Sequence, residues 1–252
     1  MSALELTVTT LAERPELEQA MWDMAGLWPE FMLNDPVAAV TYDWMARDLP
    51  EYVLVATDAD GTLVARAFSV PFLLHSPRRQ GRLPARGWDQ VMLWGFADRR
   101  DGREPDTVSA IEIAILPELR GKGLAAAMVA ALRDNARARG FAELVAPVRP
   151  NAKHLEPRTP MDEYAFRTRP DDGLPHDPWL RVHVRAGGVV HSVAPVSMTI
   201  AGSLEQWRSW TGLPFDVDGP VEVPEALSPV VCDTVGGHAV YVEPNVWVRH
   251  RL

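Results

Sequence analysis

Apolar and polar residues alternate along LELTVTTL (4–11), a period of two that predicts a first strand. Residues 13–33 place Leu17, Met21, Met24, Ala25 and Trp28 on one side, a spacing that predicts a helix. Asp35-Pro36 reads as N-cap and first helical position of a second helix to about Arg47. YVLVAT (52–57), the turn DADG (58–61) and TLVARAFSV (62–70) predict a hairpin, with Asp60-Gly61 supplying the turn. The rhythm breaks over 71–107, a long irregular excursion in which VMLWGFA (91–97) is short enough to be a strand. It resumes with SAIEIAIL (109–116), PELRGKG (117–123), the Ala-rich helical run 124–140 stopped by Gly140, and the strand FAELVAPV (141–148). Strand, Gly-rich loop, helix and strand in that order predict two parallel strands joined by a crossover helix.

Beyond residue 150 the pattern is looser. Asp177-Pro178 opens a helix through WLRVHVRA that Gly187-Gly188 ends, and VVHSVAPV (189–196) follows as a strand. Ser203 to Gln206 is a capping-box pattern for a short helix ending at 210–212, and HAVYVEPNVWVRH (238–250) alternates as a last strand. No repeat and no Pro/Gly/Ser linker divides the chain. One domain over 1–252 is the expectation, with a core to about 155 and a C-terminal elaboration over 156–252.

Composition narrows the classes. The chain has 252 residues, 47% apolar and 23% charged, as in ordinary globular proteins. No apolar run reaches bilayer length and the N-terminus lacks a signal pattern, so a cytoplasmic protein without a membrane partner is expected. A net charge of −9 argues against nucleic acid as partner. Single Cys232, in the apolar run PVVCDTV, excludes a disulfide framework and reads as a buried thiol. His75, His176, His191, His238 and His250 lack metal-ligand spacing, and no metal is assigned.

The chemistry concentrates in Arg120-Gly121-Lys122-Gly123-Leu124-Ala125, where a strand stops, a glycine turn follows and a helix begins. Amides of such a turn and of a helix's first turn point outward and, with the helix dipole, form an anion site. Glycines let a ligand approach the backbone, and Arg120 and Lys122 add charge for a diphosphate. A dinucleotide fold would place this loop early and a carboxylate after the next strand, and 141–149 end in none. The phosphate loop GxxxxGK[ST] is absent.

The run resembles the signature of the Gcn5-related N-acetyltransferase (GNAT) superfamily. Ile113, Ile115, Pro117, Arg120, Gly121 and Gly123 match its longer form, and Arg120, Gly123 and Ala125 its shorter one. The resemblance runs from residue 4 to about 155. It implies an α/β (α+β) fold: a mixed, mainly antiparallel sheet with a splayed parallel strand pair, flanked by helices. It also implies that the backbone of Ile113, Ala114 and Ile115 holds the pantetheine of an acyl-CoA or acyl-phosphopantetheine co-substrate. The amides of Arg120, Gly121, Lys122, Gly123, Leu124 and Ala125 would hold the diphosphate. Asn151 matches a position that often touches pantetheine; the other reading is a loop cap. The tyrosine that the family commonly uses as acid is missing from NAKHLEPR. DPWLRVHVRAGG (177–188) is similar to GNAT-like loading domains of polyketide assembly lines, in which the histidine is implicated in catalysis. That carries over to His183, against a packing role.

Glu112, on the splayed strand, is the second proton-transfer candidate, against a surface glutamate. His154, Asp162 and Glu163 stand either at the acceptor pocket or in solvent, as does the 71–107 excursion. The implied reaction is direct acyl transfer to a small-molecule amine, in natural-product biosynthesis by the loading-domain similarity. Two rivals stand beside it: a thioester decarboxylase and S-acyltransferase, and a non-catalytic pantetheine-binding scaffold. The donor is coenzyme A or an acyl carrier protein, whose acidic helices would need arginines such as those of 78–103 and Arg133, Arg137 and Arg139. Acceptor, acyl chain and oligomeric state are left open.

Overall fold

The turn at 58–61 fixes the first hairpin. Asp58 Oδ1 accepts the amides of Asp60 (3.1 Å) and Thr62 (2.9 Å), and Gly61 takes φ +80°, which a residue with a Cβ resists. This chain is described by a computed structural model covering residues 6–252. The hairpin strands are β2 (Val53–Thr57) and β3 (Leu63–Phe72), with β1 (Thr7–Thr10) antiparallel on β2. Residues 4 and 5 of the expected first strand lie outside the described residues. β4 (Thr107–Ile115) runs antiparallel to β3, and α4 (Leu124–Ala138) crosses to β5 (Glu143–Val148), which is parallel to β4. β9 (His238–Arg251) pairs with β5 along one edge and with β6 (Gly188–Ser203) along the other. β8 (Val230–Asp233) pairs with the first residues of β9 on the edge that β5 takes further along, and β7 (Gly219–Val221) pairs with β8. The order β1-β2-β3-β4-β5-β9-β8-β7, with β6 on β9, is the mainly antiparallel sheet with one parallel pair that the sequence implies.

The remaining helices are α1 (Glu18–Trp22), α2 (Pro36–Asp48), α3 (Gly87–Arg100), α5 (Met161–Ala165), α6 (Pro178–Arg185) and α7 (Leu204–Thr211). Asp35 and Asp177 cap α2 and α6 through their side chains, and Ser203 with Gln206 forms the capping box of α7. All three caps stand where the sequence puts them.

Two expectations are corrected. The helix over 13–33 is broken into a 3-10 turn (Pro15–Leu17), α1, and a second 3-10 turn (Glu30–Asn34). Gly26 takes φ +67° and Pro29 forces its predecessor out of the helical region, so no helix can run through. The stretch 91–97 is not a strand but the middle of α3. Trp88, Val91, Met92 and Gly95 are among its buried positions, at offsets of three, four and seven residues, a helical spacing. A seven-residue window is too short to show that period. The arginines around α3 hold the excursion closed. Arg79 and Arg103 both pair with buried Asp98, which also accepts the Leu73 amide, and the Arg79 guanidinium lies 4.2 Å from the Trp94 ring centroid.

Candidate active site

The site follows from where β4 and β5 stop pairing. Their ladder consists of Val108 opposite Leu144 and Ser109 opposite Val145, and nothing in β5 partners β4 beyond it. The cause is on β4: Ser69 of β3 faces Ala110 and Phe68 faces Glu112, so Ile111 is an extra, bulged residue that bends the strand away. The Leu116 amide donates to Val64 on β3. Backbone groups alternate in direction along a strand, so those of Ile113 and Ile115 face the gap. Of the three residues expected to meet pantetheine, Ile113 and Ile115 thus present their backbone groups at an unpaired strand edge, while those of Ala114 face β3.

The loop after β4 completes this edge. Gly121 and Gly123 take φ of +78° and +87°, and a Cβ at either would meet no atom within 4 Å. Among the described residues, no protein acceptor takes the amides of Gly121, Lys122, Gly123, Leu124 or Ala125. Five consecutive donors at the start of a fifteen-residue helix form a strong anion site. The Arg120 guanidinium turns back to the carbonyls of Ile115 and Leu27 (both 3.3 Å) and clips the loop to the α1 segment. Asn151 is exposed in the turn just past β5, at the open end of the gap.

A second group of side chains gathers beside the bulge. Glu112 is buried, and its Oε1 accepts the Arg66 Nε–H at 3.0 Å. Arg66 also donates to the Met21 carbonyl and lies against the adjoining rings of Trp22 and Phe68, 5.6 Å from each centroid. Burial and the negative charge of Glu112 hold the neighbouring Tyr42 hydroxyl far above its ordinary pKa. The Trp88 indole N–H donates to the Ile111 carbonyl at 3.0 Å, which ties the start of α3 to the bulge.

β6 carries a larger irregularity here. Pro195, Val196 and Ser197 face the single Pro244 of β9, since Ala194 pairs with Asn245 and Met198 with Glu243. Prolines on both strands remove ladder donors. Freed from the ladder, Ser197 Oγ donates to Asn245 Oδ1 (2.5 Å) and accepts the Trp88 amide (2.8 Å). Asn245, Tyr241 and Arg149 converge on the Glu243 carboxylate, each at 2.9 Å. Asp89, in the first turn of α3, is buried too. Desolvation, then the charge of Asp35, with Arg86 opposing and Glu243 adding, pushes its carboxyl up to about 8. Arg66, Tyr42, Asp89 and Glu243 all escape sequence reasoning, because contacts across the sheet bring them together.

His183 lies elsewhere. α6 starts where Asp177 accepts the Ala152 amide, near the open end of the gap, and ends at Gly187 beside Arg133 of α4. His183 is six residues in, about 9 Å along the axis. Its Nδ1 is 3.0 Å from Nε2 of His250, which pairs with Leu144 at the closed end of the β4–β5 ladder. Trp179 packs edge-on at 4.6 Å. Burial keeps both histidines well below the ordinary imidazole range, and hence uncharged. This buried setting against His250 favours packing over catalysis for His183. Tyr164 is a poor substitute acid, since its hydroxyl donates to Asp177 (3.0 Å) and burial, with the charge of Asp177, pushes it above the usual phenol range. Glu163 pairs with Arg167, His154 is half-buried and Asp162 exposed. Cys232 is buried.

The sequence model of the Acetyltransferase (GNAT) family matches residues 16–155. The chain is 34% identical to the arginine N-acetyltransferase avaD of Aspergillus versicolor, over 98% of this chain and 94% of that protein. Two solved structures share the fold over 98% of both chains. One is the loading GNATL domain of CurA from Lyngbya majuscula, at 17% identity and a TM-score of 0.56. The other is the GphF GNAT-like decarboxylase in complex with isobutyryl-CoA, at 12% identity and 0.55.

Proposed function

Since the chain belongs to the acetyltransferase (GNAT) family and is an N-acyltransferase of that family, we propose that it moves an acyl group from acyl-CoA to the amine of a small molecule. The observation that carries the donor half is the row of five unpartnered amides from Gly121 to Ala125 beside the unpaired edge of β4. Diphosphate on those amides sends pantetheine along Ile113 to Ile115 and sets the thioester near the bulge. Asn151 stands across the gap as a second contact for the pantetheine. The amine lone pair attacks the thioester carbonyl, the C–S bond breaks as the C–N bond forms, and the thiolate leaves as free thiol after taking a proton. Backbone donors on β4 polarise the carbonyl. Glu112, which Arg66 holds beside the bulge, is the group placed to take the amine's surplus proton.

A relative named as an N-acetyltransferase, matched nearly end to end, favours amine acylation over decarboxylation or a scaffold role. Free coenzyme A is the favoured donor. The arginines that a carrier protein would need are largely engaged: Arg79 and Arg103 on Asp98, Arg137 on Asp134, Arg133 on the Arg251 carbonyl and Arg139 over Tyr52.

Position 123 offers a clean test, because asparagine and aspartate both tolerate a left-handed conformation and differ in charge alone. Gly123→Asp should weaken acetyl-CoA binding, read by calorimetry, at least tenfold more than Gly123→Asn, or about 1.4 kcal/mol. Equal affinities in the two folded variants contradict the assignment.

A further inference from the structure

Two buried carboxylates beside the acceptor side have an oxygen with nothing to do. Asp35, fully buried, caps α2 through Oδ1, which accepts the amides of Val37 (2.9 Å) and Ala38 (2.8 Å). Its Oδ2 has no hydrogen-bond partner. A serine or asparagine would cap equally well without a charge, so capping does not account for the carboxylate. Asp89, 2% exposed, leaves Oδ1 without a partner, and the cation nearest its other oxygen is Arg86 at 4.0 Å. Leaving a buried carboxylate oxygen unpaired is costly, because the charge loses its water and gains no donor in return. The two charges are also close enough to feel each other: burial and Glu243 raise the Asp35 carboxyl, and Asp35 raises that of Asp89. Glu243 itself is fully provided for by Arg149, Tyr241 and Asn245.

Their place in the fold ties them to the reaction. Asp89 follows Trp88, whose indole holds the Ile111 carbonyl at the β4 bulge, and Tyr42, about two turns along α2 from Asp35, packs on Trp88 with ring centroids 6.0 Å apart. Among the described residues no three His, Cys, Asp or Glu side chains are grouped to hold a metal ion. Two separated oxygens on different helices suit a wider cation. A guanidinium presents five N–H donors in a planar fork and is more weakly hydrated than an ammonium, so it bridges two buried carboxylates at lower cost.

We propose that Asp35 and Asp89 receive the guanidinium of a cationic acceptor and so select the amine that is acylated. This rests on the acyl-transfer reading above. The acceptor's guanidinium, charged and held by both carboxylates, is not the nucleophile; a second, uncharged amine on the same molecule is.

The test compares arginine with citrulline, its uncharged near-isostere, by calorimetry on the full chain loaded with coenzyme A. Wild type should bind arginine at least tenfold more tightly than citrulline. Asp89→Asn and Asp35→Asn, the latter keeping the helix cap, should each bring that ratio close to one while leaving the affinity for coenzyme A unchanged. Equal wild-type affinities, no arginine binding, or a ratio that both variants preserve would overturn the proposal. Turnover is read separately on the same samples. Selective arginine binding without acyl transfer would retire the acyl-transfer reading and leave the guanidinium site standing.

Discussion

Burial decides what the two histidines between α6 and β9 can do. A histidine held neutral in the fold but free to take a proton when unfolded contributes stability above its unfolded pKa, near 6.5, and loses it as pH falls. His183 and His250 both fall in this class, with Trp179 and Arg133 as their aromatic and charged neighbours. His183→Gln should therefore keep turnover within about threefold of wild type, where loss of a positioned proton-transfer group costs roughly a hundredfold or more. It should also lose less stability than wild type between pH 6.5 and 4, since one of the two groups that resist protonation is gone. Turnover together with melting temperatures across that range checks both. A hundredfold loss of turnover in the folded variant would return His183 to catalysis. The chain did not disclose this at the residue level. DPWLRVHVRAGG resembles a motif with a catalytic histidine, but a motif does not say which strand its helix leans on, and here the partner is His250, sixty-seven residues away.

At the scale of elements, the start of α3 is the hinge of the acceptor side. Gly87 takes φ +27°, and a Cβ there would collide with Ser197 Oγ, within the β6 irregularity, and crowd Ala194, which flanks it. Close approach lets Ser197 accept the Trp88 amide and aims Trp88 and Asp89 at the bulge in β4. Gly87→Ala should lower stability by roughly 1–3 kcal/mol through overpacking. It should weaken acceptor binding several-fold and leave coenzyme A affinity unchanged, because the loop at 121–125 belongs to another element. An equal loss of donor affinity would contradict that independence. Elements with a strong local signal were legible from the chain: the Asp58–Gly61 hairpin, the Asp35 and Asp177 caps, the capping box of α7 and the strand–loop–helix around Gly123. α3 was missed because its apolar period shows only over 88–95, and the 13–33 helix was over-extended because Gly26 and Pro29 outweigh a continuing apolar stripe. The three-residue irregularity in β6 has no local signature beyond Pro195.

For the whole molecule, one β-bulge and one glycine loop create a gap with a backbone-lined donor edge, and the C-terminal strands close round its other side. β9 pairs with β5 through Val148 and with β8 from Val240, and between these ladders lie Tyr241 to Asn245, which hold Arg149 and the Ser197 network in place. The proposed donor half of the site can be read from the chain because it consists of contiguous residues 113–125. The proposed acceptor half cannot, because it draws on α2, α3, β4, β6 and β9. The most direct measurement is product analysis with acetyl-CoA and arginine as the only substrates, following free thiol and mass together. The account predicts one equivalent of free coenzyme A for each equivalent of N-acetylated arginine, with the acetyl group on the α-amine. Thiol released without any acetylated amine, or no thiol released across a panel of small amines, would contradict it.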